Sequence, residues 1–266
     1  MRLGIEKRKK IRIWYQGFTD PVVHSPYVER LQAHLDEIAG LNVSIVFKGI
    51  SPPASHLHPI EEMRCGLKAI ENAIEAEAQD YDGFAMGHFQ EAGIHEIKSL
   101  LNIPVLSLGE ATLLYSCSLG RKLGLITIDP IFVSWHEEQI TKAGLSDRVV
   151  GVRAMNTSPK FYMDAFSNKD ACKAVIKQFK EQAQQLLESG ADVLIPAGGL
   201  PMLLLAQNGI SIIDKAPVVN GINVLVKFLE ASIYLKQIDG LGISRRSNYK
   251  LPSSDALSEF KNILGG

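Results

Sequence analysis

The segment Asp82-Gly-Phe-Ala-Met-Gly-His88 has a counterpart later in the chain, Asp192-Val-Leu-Ile-Pro-Ala-Gly198. Each segment begins with an aspartate, continues as a short apolar run and enters a loop that contains glycine. The two aspartates lie 110 positions apart, and a second pair of similar segments, opened by Pro104 and Pro217, repeats at 113 positions. Near-constant spacing between similar segments predicts that an α/β unit is duplicated within the chain.

Short apolar runs alternate with amphipathic stretches along most of the chain, which is typical of βαβ units around a parallel sheet. The predicted fold class is therefore α/β. Strands are predicted at Ile11–Tyr15, Val43–Lys48, Gly83–Met86, Pro104–Leu108, Leu123–Ile128, Val149–Arg153, Val193–Ile195 and Pro217–Val219. Helices are predicted between them, most clearly over Pro26–Ala39, Cys65–Ala78 and Lys173–Leu187.

The duplication also predicts where a ligand binds. Open α/β sheets bind ligands outside the carboxyl ends of their strands, and two duplicated halves place those ends on the two sides of a cleft. We expect residues 1–112 with 222–266 to form one half and residues 113–221 to form the other. The site is then expected in the loops that follow the strands.

The composition is that of an ordinary globular protein: 46% of the 266 residues are hydrophobic, 21% are charged, and the formal net charge is -1. This balance gives no electrostatic reason to bind nucleic acid or an anionic membrane. No apolar run approaches the roughly 20 residues of a membrane-spanning helix, and the start of the chain lacks a signal-peptide pattern. We therefore expect a cytoplasmic protein. The run Lys7-Arg8-Lys9-Lys10 is expected to be a solvated segment before the first strand.

No sequence pattern indicates a cofactor or a resident metal. The three cysteines, at positions 65, 117 and 172, are widely spaced, form no zinc pattern and suit a reducing compartment. A Gly-rich phosphate loop is absent from the sequence. The run Ser55-His-Leu-His58 has no third ligand in evidence, so a surface or cleft-lip position is favoured over metal binding.

Four segments resemble the aspartate/glutamate/hydantoin racemase superfamily, within a similarity that extends over roughly residues 11–231. They are Ile103–Ala111, Leu119–Thr127, Gly190–Gly199 and Pro217–Gly221. The resemblance implies two pseudo-symmetric, flavodoxin-like halves, each built on an open parallel sheet, with the active site in the cleft between them. It further implies a cofactor-independent enzyme that acts on a small-molecule substrate, and we expect a homo-oligomer.

The chain departs from this family at two positions. Racemases that it resembles carry one cysteine after the third strand and another after the seventh, so that one thiol faces each side of the substrate carbon. Here His88 stands at the first position and Ala197 at the second. Because stereoinversion by two bases needs an acid/base group on each face, the loss of both thiols argues against two-thiol racemisation.

The candidate catalytic residues are His88 and Glu91, because an imidazole exchanges a proton near neutral pH and a carboxylate can act directly or orient it. The alternatives are that His88 caps its loop and that Glu91 is the acidic residue favoured at a helix start. Opposite them, the turn Ala197-Gly198-Gly199-Leu200 offers consecutive backbone N–H groups as a cradle for a carboxylate or enolate. Further candidates for substrate binding are Gln16, Phe18, Thr19, Gln90, Thr127 and Asn220.

These residues predict a racemase- or isomerase-like enzyme that transfers a proton on a small carboxylate or cyclic amide. One base opposite an anion-stabilising turn also suits decarboxylation, double-bond isomerisation or hydrolysis. The alternative is a non-catalytic protein that binds small anions on the same fold.

Overall fold

The computed structural model describes residues 10–54 and 56–264, so Ser55 and the first three residues of the basic run, Lys7 to Lys9, lie outside the described residues. The strands are β1 (Ile11–Gln16), β2 (Val43–Lys48), β3 (Gly83–Met86), β4 (Val105–Ser107), β5 (Leu123–Thr127), β6 (Val149–Ala154), β7 (Val193–Pro196), β8 (Ile212–Ile213) and β9 (Ala216–Pro217). The helices are α1 (Ser25–Ile38), α2 (Pro59–Ala78), α3 (Ile94–Leu100), α4 (Leu108–Ser116), α5 (Ile131–Lys142), α6 (Pro159–Ala165), α7 (Lys169–Glu188), α8 (Gly199–Gln207), α9 (Gly221–Asp239) and α10 (Ser254–Leu264). Within these described ranges, every helix is too short or too polar to cross a bilayer.

Two parallel sheets form the framework. The first has the strand order β2-β1-β3-β4 and the second has the order β6-β5-β7. A parallel bridge between Leu194 and Val218 continues the second sheet at the place that β4 occupies in the first. The two sheets thus share one strand order. The predicted α/β fold with two open parallel-sheet halves is confirmed.

Helix α2 begins earlier than the sequence pattern predicted, at Pro59 instead of Cys65. Proline has a preset φ and lacks only an N–H that the first helical position would leave unused, so Pro59 starts the helix instead of belonging to the loop. The imidazole Nδ1 of His58 accepts a hydrogen bond from the Ile60 amide at 3.2 Å and caps the helix. The six additional residues bring a carboxylate to the cleft, as described below.

The predicted strand Pro217–Val219 is divided in the structure. Ala216 and Pro217 pair antiparallel with β8, and Val218 alone bridges to the second sheet. Because proline has no N–H to donate to a ladder, it is placed at a strand end, and the continuous parallel strand expected here does not form.

Helix α9 returns to the first sheet. A Cβ placed on Gly83 would lie 2.8 Å from Ile233 Cδ1 and 3.2 Å from Leu229 Cγ, so the helix packs directly on the backbone of β3. This close packing supports the division into residues 1–112 with 222–266 and residues 113–221, which remains our proposal.

The turns after β3 and β7 meet between the two sheets. The Gly87 amide donates to the Gln16 carbonyl at 2.7 Å, which fixes the first turn beside β1. In the second half, the Ala197 amide donates to the Ile126 carbonyl at 2.8 Å, which fixes the other turn beside β5. A Cβ on Gly199 would lie 3.6 Å from the Gly87 carbonyl oxygen, so the turns are directly apposed.

Candidate active site

A cleft of about 510 Å³ opens where the two turns face each other. Its walls are mostly aromatic and aliphatic, with a few polar groups at the strand ends, as is usual for a small-molecule site. Eight of the twelve predicted site residues line it, namely Phe18, Thr19, His88, Gln90, Ala197, Gly198, Gly199 and Leu200. Gln16, Glu91, Thr127 and Asn220 are not among the lining residues.

His88 projects from the turn after β3 and is held between an aromatic ring and a carboxylate. The Phe18 ring stacks on the imidazole, with a centroid distance of 4.0 Å and an interplanar angle of 13°. At the edge of the imidazole, His88 Nε2 lies 3.7 Å from Glu62 Oε1, and each of these two side chains is less than a fifth exposed. No described residue makes a hydrogen bond with His88 Nδ1.

Burial sets the protonation of this imidazole. Removal from water lowers the pKa of His88 below its ordinary value, and the carboxylates of Glu62 and Glu91 oppose the shift only in part. His88 is therefore neutral at pH 7 and has a lone pair available to accept a proton. An imidazole in this state is suited to general-base chemistry.

Glu91 occupies a different environment from the one predicted. Its Oε1 accepts hydrogen bonds from the Ser107 hydroxyl and from the Glu110 amide, the latter at 2.7 Å, at the N-terminus of α4. The carboxylate thereby satisfies one of the free amides that begin a helix. Glu91 is thus a helix-start carboxylate, but of α4 and not of α3, the helix that follows it in the chain. The catalytic role predicted for Glu91 is not retained.

The Gln16 side chain is buried in the first half, where protein groups occupy its hydrogen-bonding atoms. Its Oε1 accepts hydrogen bonds from Trp14 Nε1 and Asn72 Nδ2, each at 3.0 Å, and its Nε2 donates to two backbone carbonyls. The predicted substrate contact of Gln16 is therefore corrected: the side chain points away from the cleft and ties β1 to α2.

Asn220 and Thr127 also differ from expectation. The side-chain Oδ1 of Asn220 accepts a hydrogen bond from the Ile222 amide at 3.1 Å and caps α9, while its Nδ2 faces His34 Nε2 at 3.4 Å. The contact expected between Asn220 and a ligand is thus replaced by a capping role. The Thr127 hydroxyl is buried without a described partner, and its neighbour Ile128 is the residue that lines the cleft.

The turn after β7 provides fewer free amides than predicted. The Ala197 amide donates to Ile126, and the Gly198 amide donates to the Pro196 carbonyl at 2.9 Å. At the start of α8, the amides of Gly199 and Leu200 have no acceptor among the described residues. The anion-facing cradle therefore consists of two N–H groups at a helix N-terminus.

Sequence reasoning missed six polar residues that line the cleft: Tyr15, His24, Tyr27, Glu62, Lys160 and Asp164. The alternation of Ile11, Ile13 and Tyr15 along β1 identifies one buried face, but it does not reveal that the last member reaches the site. Glu62 would have emerged only from recognising Pro59 as a helix start.

The cleft contains no thiol. Cys65 is buried in α2, and neither it nor Cys117 nor Cys172 is among the lining residues. Within residues 10–54 and 56–264, no group of three or more His, Cys, Asp or Glu side chains is arranged to hold a metal ion.

A family model described as Asp/Glu/Hydantoin racemase matches residues 25–229. A hydantoin racemase from Pseudomonas sp. (strain NS671) is 23% identical over 186 residues, which make up 69% of this chain and 69% of that protein. The structure is also similar to the allantoin racemase from Klebsiella pneumoniae, with a TM-score of 0.80 at 18% identity over 92% of this chain and 94% of that one. An allantoin racemase from Pseudomonas fluorescens gives a TM-score of 0.73 at 22% identity, covering 91% and 97% of the two chains. At these identities the structural likeness establishes the shared fold.

Proposed function

The chain belongs to the Asp/Glu/Hydantoin racemase family, and we propose that this member is a cofactor-independent, isomerase-like enzyme that moves a proton with a single base, His88. The observation that carries the proposal is the environment of that imidazole. It is neutral, stacked on Phe18 and backed by the Glu62 carboxylate, at the strand end that faces the free amides of α8. The substrate class is a small cyclic amide or carboxylate.

The Glu62 carboxylate beside Nε2 favours the tautomer in which that nitrogen carries the proton. The Nδ1 lone pair then accepts a proton from the carbon next to a substrate carbonyl. The electron pair of the broken C–H bond moves toward the carbonyl and forms an enolate, and the imidazolium later returns the proton. The amides of Gly199 and Leu200 are the donors proposed to stabilise negative charge on this intermediate or on a substrate carboxylate.

The charges around the cleft favour the cyclic amide over a dicarboxylate. Of the Lys, Asp and Glu residues that line the cleft, Glu62 is mostly buried, whereas Lys160 and Asp164 are exposed. Burial also lowers the pKa of His24, so this residue adds no positive charge at pH 7. A doubly anionic ligand would meet the Glu62 carboxylate without a buried cation to balance it. A neutral ring amide offers N–H groups to that carboxylate and carbonyl oxygens to the α8 amides.

A second candidate function is the binding of a small ligand without chemistry. Without a titratable side chain on the β7 turn, the same cleft suits a protein that binds a small ligand and performs no chemistry. One base opposite two amide donors also suits decarboxylation, double-bond isomerisation and hydrolysis. The expected homo-oligomer also remains a prediction.

The deciding experiment is proton exchange in deuterated water. The wild-type protein is incubated with 5-benzylhydantoin, malonate or maleate, and loss of the C–H signal and formation of products are followed by proton NMR. We expect exchange at the ring carbon of the hydantoin and weaker effects with the diacids. Saturable binding without exchange or product would support the binding protein instead.

A further inference from the structure

We propose that the Tyr15 hydroxyl donates a hydrogen bond to the carbonyl oxygen of the ligand and so completes the site that His88 begins. This inference rests on the proposed function. It adds a side-chain donor, on the wall that carries His88, to the backbone amides of the opposite wall, and identifies a carbonyl next to the acidic carbon as the group that is recognised.

Tyr15 lies near the carboxyl end of β1 and lines the cleft, although only 1% of its surface is exposed. Its hydroxyl is buried and has no hydrogen-bond partner among the described residues. The phenol ring packs tilted against Phe47, with a centroid distance of 6.4 Å, which holds the ring in place. A buried hydroxyl without a partner destabilises the folded protein, and native structures seldom keep one without a use.

The phenol lies directly against the backbone that carries His88. A Cβ placed on Gly87 would lie 2.2 Å from Tyr15 Cε1 and 2.8 Å from its hydroxyl oxygen. Only glycine permits this approach, because the Tyr15 ring occupies the place of a side chain at position 87. The phenol therefore packs against the residue that precedes His88.

The opposite turn approaches the same place. A Cβ on Gly199 would lie 3.1 Å from the Tyr27 hydroxyl and 3.6 Å from the Gly87 carbonyl oxygen. The Tyr15 hydroxyl thus lies near the junction of the two turns, where the fold places the reacting part of a ligand. Three further buried polar atoms that lack described partners belong to residues lining the same cleft, namely Thr19 Oγ1, Glu62 Oε2 and His88 Nδ1. Their concentration in one cleft indicates groups arranged for a ligand and not for each other.

The chemical role follows from where charge develops. When His88 removes the proton, the electron pair of the C–H bond passes into the carbonyl and leaves negative charge on its oxygen. A phenol O–H aimed at that oxygen stabilises the enolate more than the neutral substrate, so the hydrogen bond accelerates the step. Burial raises the pKa of Tyr15 well above its usual value, and the nearby Tyr27 adds to the shift. The phenol therefore remains protonated and keeps its hydrogen for donation throughout the neutral pH range.

The test is Tyr15→Phe, which removes the oxygen and keeps the ring. Because the hydroxyl has no described protein partner, we expect a melting temperature equal to or above that of the wild type. The exchange rate of 5-benzylhydantoin in deuterated water should fall about 100-fold in kcat, with a smaller change in KM. Tyr162→Phe is the matched control, since Tyr162 is an equally buried phenol that contacts Met155 Sδ and does not line the cleft. The control should exchange the probe at the wild-type rate.

The outcomes separate this inference from the proposed function. Exchange by Tyr15→Phe at the wild-type rate would overturn the role of Tyr15 and leave His88 as the base. If the wild type binds the probe without exchanging it, and Tyr15→Phe binds at least tenfold more weakly, the donor is supported and the enzyme is not. Equal binding by both proteins in that case would overturn the donor. If Tyr15→Phe lowers the melting temperature and leaves exchange and binding unchanged, the hydroxyl stabilises the fold and the proposed donor role is wrong.

Discussion

The turns after β3 and β7 occupy equivalent places in the two halves but have opposite chemistry. The first carries His88 beside the Glu62 carboxylate, and the second carries no titratable side chain and presents the amides of Gly199 and Leu200. The shared strand order therefore places both walls, while the residues of the two turns give one wall a base and the other two hydrogen-bond donors. A site with one base is the result we expect from this asymmetry.

The largest effect should come from removing the base. We expect His88→Ala to lower the rate of proton exchange about 1,000-fold, because general-base catalysis contributes on this order. Circular dichroism and the melting temperature should remain close to those of the wild type. His95→Ala is the control, since His95 is exposed on α3 and stacks on Tyr249 away from the cleft. Full activity in His88→Ala would remove the proposed base.

A single methyl group at position 199 should block access to the amides of Gly199 and Leu200. We expect Gly199→Ala to weaken ligand binding about 30-fold, or about 2 kcal/mol, because its Cβ would stand 3.1 Å from the Tyr27 hydroxyl at the mouth of the cradle. The neighbouring Gly198 has a φ of 153°, so a side chain there would strain the backbone as well and confuse binding with folding. Gly242→Ala, at a position with open space, provides the control for calorimetric titration. Unchanged affinity in Gly199→Ala would place the ligand elsewhere.

The contribution of Glu62 should appear mainly in the pH profile. The active form of His88 is neutral, so the rate should be constant above its pKa and fall as the pH drops below it. The Glu62 carboxylate raises that pKa against the effect of burial. We therefore expect Glu62→Gln to move the acid limb to lower pH and to reduce kcat about fivefold through loss of tautomer control. Glu96→Gln, on the exposed side of α3, should leave the profile unchanged, and an unmoved limb in Glu62→Gln would contradict the pairing.

Thiol alkylation should have the smallest effect. Burial raises the pKa of Cys65 to about 11, and the cysteines do not line the cleft. We expect iodoacetamide to leave the exchange rate within twofold of the untreated protein. Inactivation that a bound hydantoin prevents would instead show that a thiol takes part in the reaction.

The sequence was sufficient where local pattern decides structure. Strand periodicity and the spacing between Asp82 and Asp192 predicted the two sheets. Those strands also placed His88 and the Ala197–Leu200 turn on facing walls, because parallel strands present their carboxyl ends to one edge. The resemblance to racemases implied that His88 and Ala197 stand where those enzymes carry thiols, and this correspondence stays a prediction.

Only the tertiary structure decided which polar atoms are free. Gln16 ends β1 and Thr19 follows it, yet the amide oxygen of Gln16 is occupied by hydrogen bonds from Trp14 and Asn72. Glu91 is three residues from His88 but caps α4, whereas Glu62, 26 positions away in the sequence, reaches the imidazole. Tyr15 reads as one more apolar residue of β1, and its unpartnered hydroxyl is revealed only by the packing around Gly87. The physical reason is that hydrophobic periodicity is a local signal, which indicates each helix or strand and the face that it buries. Hydrogen-bond partners and desolvation depend instead on atoms from distant segments, which meet only in the folded chain.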